Sequence, residues 1–203
     1  MSEWDRLADK KTVERTADAL KANGIEAFFV DNGEDAKKKA LELIPQNAEI
    51  MNMSSVTLDT IGLSKEIMES GRFDAVKKKL MIMDRKTQNS QMQKLGAAPD
   101  WAVGSVHAAT ENGEIIIASQ SGSQLPAYSA GSSHVLWVVG TQKIVKNLDA
   151  GFRRIYEYVL PLESERAKKA YGKESAVNKL LIINKEAKPG RISLIFVNEV
   201  LGF

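Results

Sequence analysis

The chain contains no cysteine among its 203 residues. This absence excludes a disulfide framework, a cysteine nucleophile and any iron–sulfur cluster held by the chain's own thiolates. Histidine is also scarce: only His107 and His134 are present, and two histidines without cysteine disfavour a structural zinc site. We therefore expect the chain itself to hold no metal and no permanent cofactor.

A strong excess of one charge is missing as well. Lys and Arg number 28 against 26 Asp and Glu, which gives a formal net charge of +2. A dedicated nucleic-acid binder carries a larger basic excess or a basic stripe, so we expect no nucleic-acid partner. No apolar run approaches the ~20 residues of a spanning helix, and the charged N-terminal residues do not resemble a signal peptide. A cytoplasmic protein without membrane insertion is the expectation.

What the chain does contain is an ordinary globular balance, with 43% hydrophobic and 27% charged residues. Its length suits one domain. We predict a single domain over residues 1–203, with an N-terminal helical and α/β part over about 1–95 and a ligand-loop part over about 96–203.

Helical patterns alternate with short apolar runs along this domain. Recurring apolar positions predict helices, and short β-branched or aromatic runs predict strands. The predicted helices are Thr12–Asn23, Glu34–Ile44, Gly62–Ser70, Phe73–Lys94 with breaks, Leu148–Leu160 ended by Pro161, and Leu162–Tyr171. The predicted strands are Ile25–Val30, Glu49–Met53, Trp101–Val103, Glu114–Ser119, Val135–Val139 and Ile192–Val197, and Leu180–Ile183 forms a hairpin or a neighbouring strand with Arg191–Val197.

This alternation predicts an α/β fold with a mostly parallel central sheet and helices on both faces. In such sheets, ligands bind outside the carboxyl ends of the strands. The candidate ligand loops are therefore those that follow Met53, Val103, Ser119 and Val139.

A carboxylate stands directly before an Asn-Gly pair in Thr110-Glu111-Asn112-Gly113. A glutamate that is partly desolvated has a raised pKa, which suits a nucleophile or a general base. The side chain of Asn112 and the amide of Gly113 are placed to bind a developing oxyanion. Asn-Gly between apolar runs is first of all a hairpin signal, however, and these residues alone favour a plain turn.

Two serine-rich segments are candidates for binding an anion. Ser121, Gly122 and Ser123 belong to a Gly/Ser loop that leaves a predicted strand, and such a loop offers amides and hydroxyls to a phosphate or carboxylate. A flexible surface loop is the alternative. Ser54 and Ser55 open a strand-to-helix turn, where N-capping is favoured over ligand binding.

The two histidines each lie beside a predicted strand. His107 precedes the Glu111 loop, and His134 opens the strand Val135–Val139. Either side chain suits proton transfer near neutral pH, while a structural hydrogen bond is the commoner role. Tyr128 is expected in or near the core and follows Pro126 in the candidate ligand loop.

Several of these segments resemble the LUD family, the lactate-utilisation proteins of the LutC/YkgG type. The family has alanines followed by Glu-Thr-Gly-Thr and an apolar strand, and here Asn112 and Glu114 replace the two threonines. The resemblance covers most of the chain in short motifs. They are Ser54–Leu63, Gly104–Ser119, Gln124–Pro126, His134–Val139, Ile144-Val145 and Val197–Phe203.

The resemblance implies a Rossmann-like three-layer sandwich of the sugar-phosphate isomerase and CoA-transferase group (NagB/RpiA/CoA-transferase-like). It also implies a role in organic-acid (lactate) utilisation: binding of a small carboxylate or a related phosphate-bearing metabolite, beside iron–sulfur oxidoreductase partners that carry the clusters. From the residue patterns and this resemblance together, the candidate site residues are Glu111 and His107 for catalysis, and Ser54, Ser55, Thr110, Asn112, Gly113, Ser121, Gly122, Ser123 and His134 for ligand binding.

Two alternatives stay open beside this expectation. Thr110-Glu111-Asn112-Gly113 differs at one position from the Ser-Glu-Asn-Gly of class I CoA-transferases, so Glu111 is a candidate nucleophile toward a CoA ester. The other alternative is a non-enzymatic metabolite-binding subunit, because a fold does not decide a function. The sequence decides neither the substrate, nor whether the chain is catalytic, nor whether it forms a homo-oligomer.

Overall fold

A computed structural model describes residues 2–203, and their ten strands form two sheets. The strands are β1 (Glu26–Val30), β2 (Glu49–Asn52), β3 (Asp74–Ala75), β4 (Trp101–Gly104), β5 (Ala108–Thr110), β6 (Ile115–Ser119), β7 (His134–Gly140), β8 (Ile144–Val145), β9 (Lys179–Ile183) and β10 (Ile192–Val197). The α-helices are α1 (Lys10–Ala22), α2 (Gly33–Leu43), α3 (Val56–Thr60), α4 (Leu63–Glu69), α5 (Val76–Ile82), α6 (Arg85–Ala97), α7 (Leu148–Arg154) and α8 (Leu160–Tyr171).

The central sheet has six strands in the order β1-β10-β7-β4-β2-β3, and every neighbouring pair is parallel. Its middle strands β7 and β10 are nearly continuous apolar runs, as expected for strands that are buried on both faces. The structure confirms the predicted α/β fold with a mostly parallel central sheet surrounded by helices.

Side chains along β7 and β10 alternate between two separate cores, because successive residues of a strand point to opposite faces. Val138 and Ile195 lie in the core under α2, α3 and α4. Trp137 and Phe196 lie in the opposite core, which α1 and the second sheet cover. The second face of the central sheet is thus covered partly by a helix and partly by strands.

The second sheet has the order β8-β5-β6-β9, with β5 and β6 forming an antiparallel hairpin. Ile115 and Ile117 of β6 face the central sheet and share its core. Ile116 points to the other side, where it packs near Ile155 beside α7. The hairpin is therefore buried on both faces.

The predicted end of a helix at Pro161 is wrong. Helix α7 continues through a π-helical segment, Ile155–Val159, into α8, and Pro161 lies in the first turn of α8. A proline inside a helix lacks one N–H donor, and its ring clashes with the carbonyl four residues back. The wider π-helical turn directly before Pro161 accommodates the ring, so the helical segment continues.

The predicted pairing of the last two strands is also wrong. Strand β9 pairs with β6 in the second sheet, whereas β10 pairs with β1 and β7 in the central sheet. The connection between them is held at the edge of the protein, where the Glu186 N–H donates to the Asn23 carbonyl at 2.8 Å. This contact lies in the segment that leads from one sheet to the other.

Within residues 2–203, no helix has both the length and the apolar composition needed to cross a membrane.

Candidate functional site

A cavity of about 360 Å³ lies at the carboxyl edge of the central sheet. Its volume falls in the range of small-molecule sites, and its position is the one at which open α/β sheets bind ligands. The segments that follow β2, β4 and β7 line one side, and the end of β6 with the helical residues around α8 lines the other. Hydroxyl side chains are numerous in the lining: Ser54, Ser55, Thr57, Ser105, Ser119, Ser121, Ser123, Tyr128 and Ser175.

Lys143 is the buried charge of this cavity. It ends a 3-10 turn, Thr141–Lys143, directly after β7, and it is 2% exposed. Its Nζ atom lies 3.1 Å from the Thr57 Oγ1 and 3.2 Å from the Ser105 Oγ. No aspartate or glutamate in residues 2–203 forms an ion pair with it. Burial, and then the nearby charge of Arg154, hold the pKa of Lys143 well below its ordinary value of 10.5.

The turn that carries Lys143 is fixed by the C-terminal segment. The Gln142 side-chain amide donates to the carbonyls of Leu201 at 3.1 Å and Gly202 at 3.3 Å. The Thr57 hydroxyl donates to the Leu201 carbonyl at 3.0 Å, so it accepts its hydrogen bond from Lys143. Three segments that are distant in the sequence therefore hold the Nζ atom at the cavity.

His107 lies at the opening of β5 and lines the same cavity. Its Nδ1 accepts a hydrogen bond from the Ala118 N–H at 3.1 Å, so the neutral ring carries its proton on Nε2. Burial, followed by the charges of Lys143 and Arg154, lowers the pKa of His107 to about 3. The imidazole is therefore neutral near physiological pH.

Arg154 lies next to His107, outside the lining of the cavity. Its side chain is fully buried, and its Nη1 donates to the His107 carbonyl at 2.6 Å. The Nε and Nη2 atoms of Arg154 have no hydrogen-bond partner among the described residues. Burial lowers the pKa of Arg154 to about 10, which leaves it charged at neutral pH. It adds positive potential without a direct carboxylate contact.

Tyr128 supplies a neutral donor to the cavity. It belongs to a π-helical turn, Ala127–Gly131, and its ring packs edge-on against Trp137 at a centroid distance of 5.4 Å. Its hydroxyl lies against Gly104, where any Cβ would collide with it. Burial raises the pKa of Tyr128, so the hydroxyl keeps its proton.

The structure brings five of the sequence-predicted residues together at this cavity: Ser54, Ser55, His107, Ser121 and Ser123. Ser55 is also the N-cap of α3, since its hydroxyl accepts from the Leu58 N–H at 3.4 Å. Gly122 does not line the cavity. It has a φ of +83°, and its N–H donates to the Ser119 Oγ at 2.8 Å, which shapes the loop.

The Thr110–Gly113 segment lies elsewhere. It forms the closed end of the β5–β6 hairpin, whereas the cavity is lined by the open end. The carboxylate of Glu111 forms an ion pair with Arg15, and the Asn112 carbonyl accepts from the Asn23 side chain at 3.0 Å. Thr110 is buried and hydrogen bonded to Glu114, and Gly113 turns the chain with a φ of +85°. A catalytic role for Glu111 stays a prediction that this placement does not support.

His134 is likewise apart from the cavity. It is exposed at the amino end of β7, where its ring stacks on Trp101 at 4.5 Å. The cavity lies at the opposite edge of the same parallel sheet. Among residues 2–203, no group of three or more His, Asp or Glu side chains is placed to hold a metal ion.

Sequence reasoning missed Lys143, Thr57, Ser105 and Arg154. One signal was available: the loop after Val139 was among those that the carboxyl-edge rule selected, and Lys143 is the charged residue of that loop. Nothing in the sequence around Lys143 indicates that its ammonium is buried.

Comparison with protein families gives a match to the model described as LUD domain over residues 13–197. The chain belongs to the LUD-domain family. That family is associated with lactate utilisation, and the resemblance seen in the sequence motifs is thereby confirmed. No curated protein matches this LUD-domain chain.

Two solved structures are similar to the LUD-domain chain. A DUF162 family protein from Deinococcus radiodurans has a TM-score of 0.58 and 13% sequence identity, and the match covers 95% of this chain and 100% of that one. A ribose 5-phosphate isomerase from Plasmodium falciparum has a TM-score of 0.35 and 14% identity, and the match covers 78% and 80%. The first likeness agrees with the observed fold.

Proposed function

We propose that this LUD-domain chain binds a small carboxylate of organic-acid metabolism in the carboxyl-edge cavity, with Lys143 as the principal contact. The observation that carries the proposal is the buried Lys143 side chain, whose hydrogen-bond partners among residues 2–203 are two hydroxyl groups and no carboxylate. A buried charge without a counterion is costly, and proteins keep such a charge where function requires it.

The electrostatics of the cavity favour an anion. The positive potential comes from Lys143 and, behind it, from Arg154. A carboxylate that enters provides the missing counterion for the Lys143 ammonium, and hydrogen bonds between charged groups are worth about 1.5–3 kcal/mol. Three other charged residues line the cavity. Glu163 and Arg166 form an ion pair, so their charges cancel, and Asp59 is exposed to solvent.

The surrounding hydroxyls favour an acid that carries a further oxygen. Ser105 and Tyr128 can bind a second polar group of the ligand while Lys143 binds its carboxylate. A 2-hydroxy acid such as lactate has this pattern, and the lactate association of the LUD family supports the choice. The cavity is larger than lactate, so ordered water is expected to bridge the remaining donors.

We also propose iron–sulfur oxidoreductase partners for the chain. Oxidation of a hydroxy acid releases electrons, and a chain without cysteine has no thiolate to ligate a cluster. The clusters would lie on the partner proteins. Lactate-dependent dye reduction by the partners, measured with and without this chain, tests this part; equal rates would contradict it.

Calorimetric titration with L- and D-lactate tests the binding proposal. We expect saturable binding to the wild-type chain and a weakening of about 10- to 100-fold in Lys143→Met, because the charged hydrogen bond is lost. Lys146→Met is the matched control, since Lys146 lies three residues away and is exposed. Equal affinity in all three chains, or no binding of either isomer, would disprove the proposal.

A further inference from the structure

We infer that Lys143 reacts covalently with 2-oxo acids, its Nζ forming an imine with the C2 carbonyl carbon. This inference rests on the proposed function, because the same cavity must first admit the carboxylate. It adds a substrate class, the 2-oxo acids, and an activity, reversible covalent capture, to the binding of hydroxy acids.

The position of Nζ carries the inference. The atom lies at a cavity that is large enough for a small metabolite, and its contacts are two hydroxyl oxygens at 3.1 and 3.2 Å. A lysine that forms an ion pair has its ammonium held by a carboxylate, whereas Lys143 has none among residues 2–203. Its amine therefore lines the cavity and is held by two hydroxyl groups without a carboxylate, which leaves it able to contact a ligand.

The surroundings of Lys143 also favour the nucleophilic form. Only the unprotonated amine has the lone pair that attacks a carbonyl, and lysines become nucleophilic when they are desolvated or lie near another cation. Both conditions hold here, since Lys143 is buried and Arg154 is its cationic neighbour. The pKa of Lys143 below its ordinary range agrees with this geometry.

The chemistry needs no further reactant. The Nζ lone pair forms a bond to C2, the carbonyl π electrons move to oxygen, and a proton transfer from nitrogen to that oxygen gives a carbinolamine. Loss of the second nitrogen proton and of the hydroxyl group as water gives the C=N bond. Amine and ketone thus become imine and water, without oxidation or reduction.

Cavity groups are available for these proton transfers. The Ser105 hydroxyl contacts Nζ directly, and the Tyr128 hydroxyl and the His107 ring line the same cavity. Tyr128 keeps its proton and can donate a hydrogen bond to the developing oxyanion. A 2-hydroxy acid has a hydroxyl group instead of a ketone at C2, so it is expected to bind in this cavity without forming an imine.

Reductive trapping tests the inference. The wild-type chain is incubated with pyruvate and cyanoborohydride, and the modified residue is located by peptide mass spectrometry. We expect one reduced adduct per chain, with Lys143 modified several-fold more than the exposed Lys146, because burial lowers the pKa of Lys143 and leaves more of its amine unprotonated. Lactate should give no adduct and should compete with pyruvate.

Two variants sharpen the experiment. Lys143→Arg keeps the charge but has no amine nucleophile, so it should lose the adduct, whereas Lys146→Arg should keep it. If calorimetry shows that pyruvate and lactate bind while labelling is spread evenly over surface lysines, the imine is disproved and the binding proposal stands. If neither acid binds to the wild-type chain and no adduct forms on Lys143, both fail.

Discussion

Two buried cations of this protein have opposite surroundings. Arg191, 6% exposed, forms an ion pair with Glu186 at 2.6 Å, and its Nε and Nη2 atoms donate to the carbonyls of Ser132, Ala127 and Tyr128. Within the described part of the chain, Lys143, which is 2% exposed, hydrogen-bonds through Nζ to two hydroxyl oxygens and to no other acceptor. Arg191 is therefore a structural charge whose counterion is part of the chain, whereas Lys143 has no counterion among residues 2–203, and we propose that a ligand supplies it.

The largest effect that tests this contrast is expected at Arg191. Arg191→Met should lower the free energy of unfolding by about 3–5 kcal/mol, since the variant leaves Glu186 without its buried partner. Urea denaturation at neutral pH measures the change. Arg153→Met is the control, because Arg153 is exposed and pairs with surface glutamates, so little change is expected. Equal stability of the two variants would show that Arg191 is not structural.

The substitution Lys143→Met should change the free energy of unfolding in the opposite direction. Removing a buried ammonium that has no counterion is expected to raise the free energy of unfolding by about 1 kcal/mol in the absence of ligand, because the desolvation cost disappears. The same urea experiment applies. A loss of stability as large as that of Arg191→Met would mean that Lys143 is a structural cation after all.

The pH dependence of lactate binding gives a third test. The folded chain holds the pKa of Lys143 below 10.5, and a bound carboxylate raises it again. Binding should therefore take up a proton between the two values, and affinity should fall by up to about tenfold per pH unit as the pH rises through that window. His107, with a pKa of about 3, does not titrate there. The other charged groups near the site are Arg154, Asp59, Glu163 and Arg166.

Titrations in two buffers of different ionisation enthalpy measure this proton uptake directly. Lys143→Met should bind weakly with no uptake in the same window. The stability of the unliganded chain has the opposite pH dependence. Unfolding takes up a proton at Lys143, so the contribution of Lys143 to the free energy of unfolding becomes less unfavourable as the pH rises toward 10.5. Affinity that is independent of pH up to that value would contradict a carboxylate contact with Lys143.

The smallest effect is expected for Glu111→Gln. Because Glu111 lies at the closed end of the β5–β6 hairpin, lactate affinity should change by no more than about twofold, within the usual effect of a surface substitution. The same residue tests the CoA-ester alternative. Incubation with an acyl-CoA and hydroxylamine, followed by mass spectrometry, should leave Glu111 unmodified; an adduct there would restore the transferase hypothesis.

The fold was largely predictable because hydrophobic periodicity reports burial directly. Ile192–Val197 was predicted with the bounds that the structure has, and most other strands differ by one or two residues. Pro161 was misinterpreted because a π-helical turn depends on packing, and no single residue type indicates it. The partners of β9 and β10 were not predictable, because both strands pair with strands that are remote in sequence.

The site was predictable only in its location. The carboxyl-edge rule selected the loops that hold Ser54, Ser55 and Lys143, and serine-rich composition selected Ser121 and Ser123. The burial of Lys143 was not predictable from the sequence. A lysine in a loop between two strands is ordinarily solvated, and it is the tertiary contacts of Lys143 that exclude water from it. The placement of Glu111 was hidden for the same reason, since its partner Arg15 lies on a different element, α1; its catalytic role stays a prediction.

The position of β10 in the central sheet has a consequence for biosynthesis. It is the last strand in chain order, yet it lies between β7 and β1, and β1 has no other neighbour in the sheet. During translation, β1 leaves the ribosome before β10, so its backbone lacks its partner in the sheet until residues 192–197 have also left the ribosome. The pairing of β1 thus has to follow the synthesis of β10, and a chain that stops before β10 leaves β1 unpaired and exposes the edge of β7, both of which are able to aggregate.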